Sequence, residues 1–273
     1  MVDAKKAGPA KKAAPEKKPA KKPAKKRSGK GKSSSAPPAW IALLLSTLTG
    51  ILVFTTYPKY DIFPLQWFAL VPLMAAIARR GPGKAFLYGA WAGLVTNAGG
   101  FYWIVGMLQD FGHFSFWLAL PIAGLLWGYQ GLVFGVWAGL YRWLCDRTNA
   151  PILLIAPVTW VAVETLVPFI FPWYLGNGQY LFYAAIQVVE LTGVLGLSFL
   201  LVLVNSGLYL GLVEALAGRW KQAARPVGLV ALVFTINVVY GLVRIAQVDA
   251  QQADAATLKI GVAEANVGIF EKQ

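Results

Sequence analysis

The stretch 108-LQDFGHFSFWLALPIAGLLWGYQGLVFGVWAGLYRWLCDR-147 decides how this chain folds. Residues 115–141 contain no Asp, Glu, Lys or Arg. That run exceeds the roughly 20 apolar residues an α-helix needs to cross a bilayer. It ends in Arg142 and Arg147, whereas the connection before it, 108–114, holds no basic residue. One apolar run with lysine and arginine at one end only is a membrane helix with an orientation.

The pattern repeats outward from there. Basic residues cluster at Arg79/Arg80/Lys84 and at Arg219/Lys221/Arg225, while 168–182 holds none and 55–62 only Lys59. Seven spans are expected, at 39–56, 62–78, 85–107, 115–141, 151–170, 183–213 and 226–244. The second opens on Phe63-Pro64 and is expected to be tilted or partly re-entrant; the sixth is long enough to reach beyond the bilayer. With the N-terminus inside, twenty-one of the 25 Lys and Arg lie inside. Outside are Lys59, Arg244, Lys259 and Lys272. The composition, 57% hydrophobic and 14% charged with positive mean hydropathy, belongs to the same membrane class.

The pI near 9.8 is a property of the N-terminus and not of a folded surface. Residues 1–38 hold thirteen Lys and Arg against Asp3 and Glu16, which is +11 of the formal +13. A Lys/Ala/Pro-rich segment of this kind buries too little apolar surface to fold, and its charges repel. It reads as a disordered cytoplasmic tail resting on anionic lipid headgroups. A nucleic-acid-binding arm is the less favoured reading, and a cleaved signal peptide is excluded by the length of the charged part.

Candidate chemistry is sparse. The one cysteine, Cys145, lies at the inner end of the fourth span, and the one histidine, His113, at its outer end, so they cannot form a nucleophile–base pair. Glu164 and Glu190 lie in or near apolar segments, where an ionisable group faces a cavity or a partner. Trp160 shares a helix face with Glu164, and Pro157 and Pro168 bracket them. The pairs Gly89/Gly93, Gly124/Gly128, Gly131/Gly135/Gly139 and Gly207/Gly211 are spaced for close helix contact. Outer connections are rich in aromatics, among them Phe111, Phe114, Phe171, Trp173 and Tyr180, which suits an interfacial belt or a way in for acyl chains. No proton-relay chain and no midplane polar site of a transporter is evident.

After Arg244 the chain turns polar. Residues 246–257 read as a linker, and 258-LKIGVAEANV-267 as a β-strand with Ile260 and Val262 on one face. A lone strand beside a helical bundle has no ladder partner, so either it pairs with another chain or, the favoured reading, 258–273 is the start of an external domain that is cut off.

At this point the chain resembles the bacterial apolipoprotein N-acyltransferases over about residues 40–273. The stretches are 57-YPKYDIFPLQWFALVPL-73, 89-GAWAGLVTNAGGFYWI-104, 156-APVTWVAVETL-166, 171-FPW-173 with Gly176, Gly178 and Gln179, 190-ELTGVLGLSFLLVLVN-205 and 262-VAEANVG-268. It departs at Glu264, where the family has Gln, and at Gly268-Ile269 and Gln273, where the family has Pro-Gln and Trp. The resemblance implies an all-α polytopic membrane bundle of about seven helices followed by the first strand of a nitrilase-like domain. It implies an enzyme of the bacterial inner membrane with a phospholipid as acyl donor and a lipoprotein as acceptor, and no cofactor or metal. The Glu, Lys and Cys that the family uses for catalysis fall beyond Gln273, so this chain alone is expected to be inactive. Glu164, Trp173, Gln179, Glu190 and Asn266 match family positions and are the candidates for shaping the lipid cavity. The competing reading is a non-enzymatic scaffold, or a subunit paired with a separate catalytic chain.

Overall fold

The computed structural model describes Gly8, residues 36–253 and residues 258–262. Every regular element among them is helical. In chain order they are α1 (Ala39–Phe54), a 3-10 turn (Phe63–Trp67), α2 (Val71–Ile77), α3 (Pro82–Gly100), α4 (Ile104–Asp110) and α5 (Phe116–Arg147). There follow α6 (Ile152–Leu166), a second 3-10 turn (Leu175–Gln179), α7 (Tyr183–Ile186), α8 (Val189–Leu216) and α9 (Trp220–Ala253). All belong to one unit, Ser35–Gln273.

Three of these, α5, α8 and α9, are long and apolar enough to cross a membrane. The other expected spans are shorter or broken, and the breaks have local causes. Span 62–78 is a 3-10 turn followed by the two-turn α2, with a proline near the start of each. Span 85–107 divides at Phe101–Trp103 into α3 and α4. Within α8, Gly193 takes φ 67° and ψ 177°, a conformation that glycine alone adopts without strain.

The bundle is held by close backbone contact. α3 packs against both α1 and α5, and α8 against both α6 and α9. A Cβ built on Gly93 would stand 2.2 Å from the Gly131 carbonyl oxygen, so α3 and α5 touch main chain to main chain. The same test separates the spaced pairs: Gly124 and Gly128 face open space and are not helix contacts. In the core Trp137 and Trp160 are fully buried, edge to face at 5.0 Å, and the Trp137 indole N–H donates to the Ala156 carbonyl. Leu232, Ile236, Val239 and Leu242 of α9 stay exposed, the surface a membrane helix turns to lipid.

Two expectations at the C-terminus meet the structure differently. Residues 246–253, read as linker, continue α9. Among the described residues no strand forms over 258–262 and no second strand stands beside it; Leu258, Ile260 and Val262 are exposed. Residues 263–267 of that expected strand lie outside the described residues.

Candidate functional site: two irregular segments fastened by buried side chains

Irregular backbone survives at membrane depth only where protein groups satisfy its N–H and C=O. Here they do. Asn205 of α8, fully buried, accepts from the Leu70 N–H through Oδ1 at 2.8 Å and donates through Nδ2 to the Gln66 carbonyl at 3.0 Å. Thr49 of α1 accepts from the Leu73 N–H at 2.9 Å. The segment 63–73 is thus tied to α1 and α8 by side chains.

The segment 167–182 is fastened in the same way and faces the first. Gln130 Oε1 of α5 accepts from the N–H groups of both Ile170 and Phe171 at 3.0 Å. Glu164 Oε1 accepts from the Leu175 N–H at 2.7 Å, and Ser198 Oγ from the Gly176 N–H at 3.0 Å. Gln66 and Gln179 join the segments: Gln66 Nε2 donates to the Leu175 carbonyl, while Gln179 Nε2 donates to Gln66 Oε1 and to the Phe63 carbonyl. At the rim the Tyr180 hydroxyl donates to Asp61.

Two cavities result, sharing Tyr57 and Trp173. The inner one, about 20 Å³, lies among Gln66, Asn97, Gln130, Trp160 and Glu164. The outer one is a cleft of about 350 Å³ walled by Phe101, Tyr102, Trp103 and Phe171. The Tyr57 and Trp173 rings, 4.7 Å apart, form the partition. Phe171 packs on Phe101 and Trp103 at 5.9 and 5.7 Å. Lys59 stands at the rim with its ammonium 4.0 Å from the Tyr102 ring centroid. Contact with Tyr102 holds its pKa above the ordinary lysine value, so it is a cation at neutral pH.

Of the five candidates, Glu164 and Trp173 line the inner cavity, and Gln179 adjoins it through Gln66. Glu190 goes elsewhere. It takes the Tyr240 hydroxyl and the Arg244 guanidinium, at 2.7 Å, and ties the N-terminal end of α8 to α9. Asn266 lies outside the described residues. Gln66, Gln130, Ser198 and Asn205 were missed. Each is an uncharged polar residue inside an apolar run, and their significance is that they reach backbone far away in sequence. Cys145 and His113 stand near opposite ends of the 32-residue α5, roughly 45 Å apart at the helical rise. Among the described residues no three His, Cys, Asp or Glu side chains gather as metal ligands would.

The fold and site define an all-helical membrane protein with an aromatic cleft built on fastened loops. The profile of the apolipoprotein N-acyltransferase N-terminal domain matches residues 49–207, which contain both cavities and every side chain that fastens the segments 63–73 and 167–182. The chain is 34% identical over 209 residues to an apolipoprotein N-acyltransferase of Geobacter metallireducens, covering 74% of this chain and 40% of that protein. Against apolipoprotein N-acyltransferase 2 of Leptospira interrogans it is 28% identical over 188 residues, covering 67% and 30%. Against the Thermotoga maritima apolipoprotein N-acyltransferase it is 27% identical over 186 residues, covering 60% and 34%. The chain belongs to the apolipoprotein N-acyltransferase family and spans well under half the length of these relatives.

Proposed function

We propose that residues 39–253 are the membrane platform of an N-acyltransferase of the bacterial inner membrane, crossing seven times with the N-terminus in the cytoplasm and the chain beyond Arg244 outside. In the reaction of the whole protein, an acyl chain leaves a phospholipid to form a thioester on a cysteine of the external domain. It then passes to the α-amine of a diacylglyceryl-cysteine lipoprotein, the amine replacing the thiol as acyl partner. In this reading neither Cys145, at the cytoplasmic end of α5, nor any other group of the platform is the nucleophile. The platform delivers and orients lipid, while the basic tail rests on anionic headgroups.

One observation carries the reading: the outer cleft is apolar and aromatic within, with a cation at its rim. An acyl chain among Phe101, Trp103 and Phe171 and a phosphate near Lys59 would satisfy both. Photo-crosslinking with a phospholipid carrying a diazirine in its acyl chain tests this in nanodiscs. Adducts on Tyr102, Trp103, Phe171 or Trp173 are expected. Adducts confined to the outward face of α9, at Leu232 and Ile236, would sink the proposal.

A further inference from the structure

The inner cavity contains a mismatch that the fastening of the loops leaves over. Most of its polar groups are spoken for: Gln66 Oε1 accepts from Gln179, Gln130 Oε1 from two backbone N–H groups, and Glu164 Oε1 from Leu175. Three buried atoms of lining residues have no hydrogen bond of good geometry: the indole nitrogens of Trp160 and Trp173, and Glu164 Oε2, although the Trp160 and Ser198 side chains lie beside the Glu164 carboxylate. Trp160 and Glu164 are 1% and 3% exposed, so bulk solvent does not serve them. An unpaired buried polar group costs about 1–3 kcal/mol, and three around one space call for a shared occupant. A volume of about 20 Å³ holds a single water-sized body.

We infer that the inner cavity binds one structural water, which accepts from the indole N–H groups of Trp160 and Trp173 and lies against Glu164 Oε2. The balance of free groups selects water over a monovalent cation. Two N–H donors among the lining residues would repel a cation, and one free carboxyl oxygen is too few ligands to hold it. Water takes bonds from the donors and returns a hydrogen to the oxygen. The site also has a reach beyond itself, because Trp173 belongs to the walls of both cavities. A water fixing its indole nitrogen from below sets the ring that closes the floor of the outer cleft. This inference stands on the buried groups alone and does not depend on the acyltransferase reading.

The test is hydroxyl-radical labelling by X-ray radiolysis of the full chain in nanodiscs, read by mass spectrometry at single tryptophans. A bound water generates radical in place, so a buried ring beside it is oxidised although bulk solvent is shut out. Trp137 is the internal control: it is 0% exposed, 5.0 Å from Trp160, already bonded to Ala156 and absent from the cavity lining. Trp160 is expected to oxidise at least about fivefold faster than Trp137, as a ring in contact with an internal water should. Equal rates overturn the inference. Glu164→Leu removes the acceptor and should bring Trp160 down to the Trp137 rate. Fast labelling of Trp160 in that variant with Trp137 still protected also overturns it. If Trp137 loses protection in the variant, the wild-type comparison alone decides.

Discussion

Replacing Asn205 with Ala asks whether side chains hold the segment 63–73 in place. The change strips Leu70 of the acceptor for its N–H and leaves the Gln66 carbonyl with the local N–H groups of Phe68 and, at 3.4 Å, Ala69. The Leu201 carbonyl, the third partner of Asn205, lies within α8 four residues back. One buried N–H left without an acceptor costs about 1–3 kcal/mol, and the small void adds to that. Side-chain hydrogen bonds between membrane helices average nearer 0.6 kcal/mol, because helices apart in the bilayer find other partners. Leu70 has no helical ladder to fall back on, so the higher range applies. We expect a loss of about 2–3 kcal/mol, read as a fall of roughly 5–10 °C in the tryptophan-fluorescence melt of the micellar protein. The control is one residue away. Ser206 is equally buried, but its hydroxyl donates only to Val202 of its own helix, so Ser206→Ala should cost under about 0.5 kcal/mol. If Asn205→Ala melts within 1 °C or so of Ser206→Ala, the segment is not held as described.

Four further outcomes follow from the geometry. Gly93→Ala forces α3 from α5 and should cost about 1–3 kcal/mol, whereas Gly124→Ala, which meets nothing, should melt like the parent protein. Gly193→Ala puts a Cβ on a φ of 67° and ψ of 177° and should lower the melt by about 1–3 kcal/mol although nothing crowds it. Glu190→Gln breaks a partly exposed pair with Arg244 and should leave both the melt and the phospholipid adduct pattern close to the parent protein's; loss of cleft adducts would return Glu190 to the cavity. Lys59 sits at φ 93°, a backbone conformation glycine adopts freely, so Lys59→Gly should fold like the parent protein while reducing cleft adducts of an anionic lipid relative to a zwitterionic one.

The helical character of the bundle was legible because α5, α8 and α9 are single apolar runs, and apolar length is a property of sequence alone. The break near Phe63-Pro64 was legible too, since proline near the start of a helix announces itself. What stayed hidden shares one cause. Asn205, Gln130 and Ser198 act across gaps of 135, 40 and 22 residues, and nothing local distinguishes a polar side chain that caps distant backbone from one that bonds its own helix, as Ser206 does. Glu164 and Glu190 posed that problem in reverse. Both were costly carboxyls in apolar surroundings; one fastens a loop inside the bundle, the other clasps Arg244 at its surface. The polar composition of 246–253 suggested a linker because it departs from the apolar pattern, yet a helix already running through α9 continues while its residues are good helix formers, as Ala and Gln are.

The fastening of 167–182 has a thermodynamic consequence for whatever enters the outer cleft. A free loop of that length would surrender about 1–2 kcal/mol of conformational entropy for each residue a ligand ordered. Here Ile170, Phe171, Leu175 and Gly176 are immobilised at their main-chain N–H groups before any ligand arrives. The ordering is settled during folding, so association with the cleft reflects desolvation and shape, and a ligand meets walls that are already set.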